Sequence, residues 1–100
     1  MLKYILLSHD AAPSVYLVPC VVADNLSEYC AEFDKWLRIS PHAEVYRIGE
    51  AVRYTSEDFI KYLNTWVFPD EPSQFIENLH YVVTDSDIPE EYKHCEWFNF

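Results

Sequence analysis

The alternation of hydrophobic and polar positions first predicts two strands near the start of the chain. Residues 3–8 and 15–22 are apolar runs of strand length, and the polar, proline-containing residues 9–14 separate them. Pro19 lies in the second run and has no backbone N–H to donate. We therefore expect the second strand to lie at a sheet edge or to break at this proline.

Two longer segments have the three-to-four-residue hydrophobic spacing of amphipathic helices. Asn25 and Glu28 are spaced as an N-cap and N3 pair at the start of the first helix, which must end shortly before Pro41. Thr55 begins the second helix and Pro69 ends it. The predicted core faces consist of Leu26, Tyr29, Cys30, Phe33, Trp36 and Leu37 in the first helix, and of Phe59, Ile60, Leu63, Trp66 and Val67 in the second.

The only glycine, Gly49, marks a predicted hairpin. It lies with Glu50 between the strand-like residues 44–48 and 51–54. Glycine at the first position of a two-residue loop suits a type II′ turn, which requires a positive φ there.

The rest of the chain predicts shorter elements. Residues 70–79 have the proline, serine and apolar spacing of a short third helix, residues 81–84 predict a strand, and residues 85–89 predict a turn. Together the elements predict one α+β domain spanning residues 1–100. Its small antiparallel sheet of about four to five strands would pack on the two main helices.

Composition places this domain among globular proteins. Half of its residues are hydrophobic and 17 % are aromatic, which is far above the content of a disordered acidic chain. Three cysteines, Cys20, Cys30 and Cys95, form neither a disulfide framework nor a metal-binding spacing and indicate reduced thiols. We predict no export signal and no membrane span, and we expect a cytoplasmic protein.

Negative charge is concentrated at the C-terminal end. The net charge is −10, and residues 70–100 contain eight acids but a single base, Lys93. These acids lie beside the aromatic residues Trp97, Phe98 and Phe100, and such a mixture is typical of a surface that meets a basic protein. The predicted partner-binding residues are Asp85, Asp87, Glu90, Glu91 and Glu96, with Trp97 as an anchor. Two alternatives remain open: a merely solvated acidic surface, and a tail that folds back on the core.

The same charge and composition disfavour several other functions. Direct binding of nucleic acid needs a basic surface, and seven bases face seventeen acids. Nucleotide binding needs a glycine-rich loop, which a chain with one glycine does not have. A calcium loop counted from Asp85 fails because Pro89 takes a ligand position. We therefore predict no cofactor, no metal and no direct contact with nucleic acid.

In size, acidity and lack of catalytic motifs, the chain resembles toxin immunity proteins and phage inhibitors of host defence. The resemblance implies a non-catalytic inhibitor of a basic protein, including one that itself binds nucleic acid. One alternative is a small enzyme or metal-binding protein that uses His9, Asp10, His94 and Cys95. Another is a subunit of a homo-oligomer.

Overall fold

The computed structural model describes residues 1–9, 12–80, 82 and 84–100 of the chain. In chain order, the strands are β1 (Leu2–Ser8), β2 (Ser14–Pro19), β3 (Arg47–Ile48), β4 (Ala51–Val52), β5 (Gln74–Asn78) and β6 (Glu96–Asn99). The α-helices are α1 (Cys20–Asp24), α2 (Leu26–Ile39) and α3 (Ser56–Tyr62). Short 3-10 helices span Pro41–Tyr46, Asp85–Asp87 and Glu90–Tyr92. This mixture of elements confirms the predicted α+β class.

The main sheet has four strands in the order β5-β2-β1-β6, and β3 pairs with β4 in a separate hairpin. β2 is antiparallel to β1 and β5, whereas β6 is parallel to β1, so the sheet is mixed rather than wholly antiparallel. β5 and β6 consequently point the same way at opposite edges of the sheet. The chain between them must cross one face, and its described residues pack there.

The sheet separates two hydrophobic clusters. Ile5 and Leu7 point to one face of the sheet, in the cluster that contains the buried residues of α2 and α3, whereas Leu6 points to the other face. The cluster on this second face is smaller, and its buried residues are Leu6, Val15, Leu79, Ile88 and Tyr92. Helices therefore cover one face of the sheet, and the segment between β5 and β6 covers the other.

The first predicted helix is confirmed as α2, and its buried residues are Leu26, Cys30, Phe33 and Leu37. Its predicted N-cap is wrong in detail. The Asn25 side chain makes no capping hydrogen bond and instead donates to the Val21 carbonyl oxygen at 2.9 Å. The reason is that Asn25 directly follows α1 as its C-cap residue, and the unpaired carbonyl groups at the end of α1 compete for the amide.

The second predicted strand ends earlier than expected, because residues 20–22 belong to α1. Pro19 ends β2, in agreement with the expected break, and the Cys20 amide then donates to the Met1 carbonyl oxygen at 3.1 Å. Val22 and Ala23 are buried on the helical side of the sheet. The apolar residues after Pro19 therefore form a short core helix. A short apolar run fits either a strand or a buried helix, so its length alone could not distinguish the two.

The predicted hairpin exists in a reduced form. Gly49 has a φ of +62°, as expected, but β3 and β4 contain two residues each. The preceding Pro41–Tyr46 segment is a 3-10 helix rather than the start of a strand, with Pro41 at its first position. Ser40 caps this helix, since its hydroxyl accepts a hydrogen bond from the His42 amide at 3.1 Å.

The second predicted helix is confirmed at its start, where the Asp58 carboxylate accepts a hydrogen bond from the Thr55 amide at 2.8 Å. Its last turn differs from the prediction. Leu63–Val67 is a π-helical turn, closed by the Phe68 amide donating to the Leu63 carbonyl oxygen at 2.7 Å. The wider turn changes the helical phase, so that Trp66 is exposed instead of lying in the core.

The predicted third helix at residues 70–79 is wrong, because half of this segment forms β5. β5 pairs with the free edge of β2, and a bulge interrupts the pairing beside Tyr16. Pairing of β5 with β2 satisfies backbone hydrogen-bonding groups in both strands. This stabilisation comes from residues distant in sequence, so the local hydrophobic spacing does not reveal it. The strand predicted at residues 81–84 includes Tyr81 and Val83, which lie outside the described residues.

Candidate partner-binding surface

The acidic 3-10 helices between β5 and β6 form a surface that we call the acidic platform, residues 84–93. Ile88 and Tyr92 anchor it in the smaller hydrophobic cluster. The Tyr92 hydroxyl also donates to the Glu77 carboxylate at 2.7 Å, and the Tyr92 ring lies 5.3 Å from the ring of Tyr4. Contacts with β1 and β5 therefore fix the platform to the sheet.

The Tyr92 hydroxyl has a pKa raised well above its usual value. The main cause is its hydrogen bond to Glu77, and burial and the charges of Glu77 and Glu91 act in the same direction. The hydroxyl therefore stays protonated and continues to donate at neutral pH.

The carboxylates of Asp87, Glu90 and Glu91 are exposed to solvent. Asp87 accepts a hydrogen bond from the Thr84 amide at 2.9 Å, which ties its side chain to the backbone. The Glu90 side chain is 81 % exposed and pairs with Lys93 at 3.0 Å, and Glu91 is also exposed. Asp85 lies in the 3-10 helix Asp85–Asp87. Four of the six predicted site residues therefore share one segment.

Trp97 lies beside the platform, at the sheet edge. It is paired in register with Leu6 and shares a depression of about 210 Å³ with Ile88, Tyr92 and Lys93. Its indole Nε1 donates to the Ser8 hydroxyl oxygen at 2.9 Å, and the ring is held in this position while 38 % of the residue stays exposed. A fixed, partly exposed indole is well suited to anchor a partner.

Glu96 is separated from the platform, although it precedes Trp97 directly. It is exposed and in register with Ile5, so it points toward the helical side of the sheet. The aromatic tail is divided in the same way. Phe98 and Phe100 pack against the main core, and Trp97 does not. The sequence left open whether the tail folds back on the core, and the two phenylalanines do so.

The residues of the predicted alternative enzyme or metal site are not brought together. His9 follows the end of β1, whereas His94 and Cys95 precede the start of β6. Because the two strands are parallel, these residues lie at opposite ends of the sheet. Asp10 lies outside the described residues. In the part of the chain that the structure describes, no group of three His, Cys, Asp or Glu side chains could hold a metal ion.

The three cysteines are free thiols. Burial on the core face of α2 raises the pKa of Cys30 to about 12, and burial also raises the pKa of Cys95. Both shifts disfavour the nucleophilic thiolate at neutral pH.

Sequence reasoning missed a cleft of about 710 Å³ at one end of the sheet. Its lining includes His9, Tyr16, Glu57, Phe75 and Asn78. These residues come from different elements, including the unexpected strand β5, so no local motif could have indicated the cleft. Burial, followed by the charge of Glu57, raises the pKa of Tyr16, which keeps its hydroxyl neutral.

Comparisons of the chain with known protein families, with curated proteins and with solved structures found no match. Among the described residues, no helix has the length and apolar character needed to cross a membrane.

Proposed function

We propose that this protein is a small non-catalytic protein-binding module whose acidic platform and Trp97 bind a basic protein. One observation supports this most directly: buried side chains fix the platform, while Glu90 and Glu91 beside them remain exposed. A fixed acidic surface loses little conformational entropy on binding, which favours recognition over mere solubility.

In this proposal, charge and the indole have different roles. A net charge of −10, with exposed carboxylates of Asp87, Glu90 and Glu91 on the platform, would raise the rate of encounter with a basic surface. Trp97 would then supply the buried apolar contact that slows dissociation. The biological role that we propose is inhibition, as in immunity or anti-defence proteins, by covering the basic surface of a cytoplasmic target such as a nucleic-acid-binding protein.

The first experiment is capture of partners from host lysate at about 50 mM and about 500 mM salt, because screening shortens the range of charge interactions. The Glu90→Lys/Glu91→Lys variant should lose the partners captured at low salt. Its matched control is Glu44→Lys/Glu50→Lys, which changes the net charge equally at exposed positions outside the platform. If both variants bind like the wild type, the platform has no role in binding and the proposal is wrong.

Kinetics with a captured partner test the division of roles. The Glu90→Lys/Glu91→Lys variant should lower the association rate and flatten its salt dependence, because it removes steering charge. Trp97→Ala should mainly raise the dissociation rate. An unchanged dissociation rate would exclude Trp97 as the anchor.

A further inference from the structure

The cleft at one end of the sheet lies on the same face as α2 and α3. Leu7 and Tyr16 belong to the main core cluster on this face and line the cleft. Residues 55–57, at the start of α3, line it from the helical layer, and Phe75 and Asn78 line it from β5. A volume of about 710 Å³ assembled from several elements is within the range of small-molecule sites.

Aromatic rings form part of the lining of the cleft. Phe75 is 55 % exposed, and its ring contacts the buried Tyr16 ring edge to face, with a distance of 5.6 Å between the ring centroids. The His9 ring, which also lines the cleft, lies 5.7 Å from the ring of Tyr54. Tyr16 therefore positions an exposed ring, and such a ring attracts both apolar groups and organic cations.

Glu57 gives the cleft a negative charge. It is the only Asp, Glu, Lys or Arg residue in the described lining, and it is exposed. The neighbouring Asp58, not Glu57, accepts the capping hydrogen bond from the Thr55 amide at 2.8 Å. None of the ion pairs between described residues involves Glu57. The carboxylate is therefore available to a positively charged ligand, whereas an anion would be repelled both by Glu57 and by the net charge of −10.

We propose that the cleft binds a small organic cation in which a primary ammonium group is attached to an aromatic ring. The ammonium group would pair with the Glu57 carboxylate, and the ring of the ligand would pack on Phe75. A lysine side chain of a protein has the same ammonium group but no ring, so it would make only the first of these contacts. The acidic platform lies on the opposite face of the sheet, and this site is therefore separate from the proposed partner-binding surface.

The test is a titration of the full chain with three probes at neutral pH, followed by the chemical shifts of its backbone amides. The first probe, 2-phenylethylamine, has both the ammonium group and the ring. The second, 2-phenylethanol, has the ring without the charge, and the third, Nα-acetyl-lysine methylamide, has the charge without the ring. The amine should bind with a Kd of about 1 mM or below and shift the amides of Glu57 and Asn78. Each of the other two probes should bind about five-fold more weakly, because each lacks one contact.

Two variants assign the contacts to residues. Glu57→Gln should weaken binding of the amine about five-fold and leave binding of the alcohol unchanged, because only the amine is charged. Phe75→Leu should weaken binding of both probes that contain a ring. Matched controls are Glu44→Gln and Trp66→Leu, at exposed positions outside the cleft, and they should leave all three Kd values unchanged. Circular dichroism should show that all four variants are folded.

Several outcomes would overturn the proposal. Absence of saturable amine binding up to about 20 mM would exclude a specific site. Equal binding of the amine and the alcohol would exclude a role for the charge. Binding of the capped lysine as tight as that of the amine would make the cleft a site for protein side chains. Shifts of the Glu90 and Glu91 amides as large as that of Glu57 would show only a general attraction of cations to an acidic protein.

Discussion

Removing the Tyr92 hydroxyl tests how the acidic platform is attached to the sheet. Tyr92 is 4 % exposed, and its hydroxyl donates to Glu77 at 2.7 Å. A hydrogen bond to a charged group contributes about 1.5 to 3 kcal/mol. The Glu77 residue is exposed, so water can replace the lost donor and the cost falls below that range. We expect Tyr92→Phe to lower the free energy of unfolding by about 1 kcal/mol.

The measurement is urea denaturation, with the thermal midpoint as a second readout. A loss of about 1 kcal/mol lowers the midpoint of a domain of this size by about 4 to 8 °C. Tyr92→Ala also removes the buried ring and should cost about 3 to 5 kcal/mol. The control is Tyr4→Phe, because Tyr4 packs on Tyr92 but is 42 % exposed. If Tyr92→Phe costs no more than this control, the hydrogen bond does not hold the platform.

The pH dependence gives an independent check with a defined sign. The pKa of Tyr92 is raised in the folded protein, whereas an unfolded tyrosine titrates near about 10. Its contribution to stability is therefore complete below about pH 10 and is lost as the pH rises toward the folded pKa. The stability difference between wild type and Tyr92→Phe should shrink in that alkaline range. A constant difference would contradict the assigned donor.

Three further predictions concern the rest of the fold. Gly49→Val should cost about 1 kcal/mol or more by urea denaturation, from backbone strain alone since no atom lies within 4 Å of the added Cβ, and Gly49→Asn should cost less. Phe33→Ala should cost about 3 to 5 kcal/mol, more than Trp36→Ala, because Phe33 is 1 % exposed whereas Trp36 is only partly buried, and the reverse order would refute the packing. Cys30 should react with a thiol reagent more slowly than Cys95, given its pKa of about 12, and equal rates in folded protein would contradict its burial.

The sequence predicted the parts of this fold that interactions between neighbouring residues determine. The helix Leu26–Ile39 could be predicted from its hydrophobic spacing because one face of the helix packs on one sheet. Thr55 and Gly49 could be read because a helix start and a tight turn each need a particular side chain or backbone angle. Such features depend on a few neighbouring residues, which the sequence displays directly.

The errors occurred where distant pairing or a change of helical phase decides the structure. Gln74–Asn78 has apolar spacing that fits a helix, yet the free edge of β2 makes it a strand. Trp66 fits the core face of an unbroken α-helix, but a π-helical turn moves it to the surface. Neither the strand edge nor the wider turn can be seen in a window of ten residues.

The candidate surface depends both on local sequence features and on pairing between distant segments. The acids could be recognised from composition alone. The pairing of β6 parallel to β1 turns Glu96 toward the helical side of the sheet, whereas Glu90 and Glu91 lie on the platform. That pairing also gives Trp97 its Ser8 acceptor while Phe98 enters the core. One edge strand thus orders the core on one face and fixes the indole on the other. A change that shifted its register by one residue would exchange Trp97 with Phe98 and disturb both faces together.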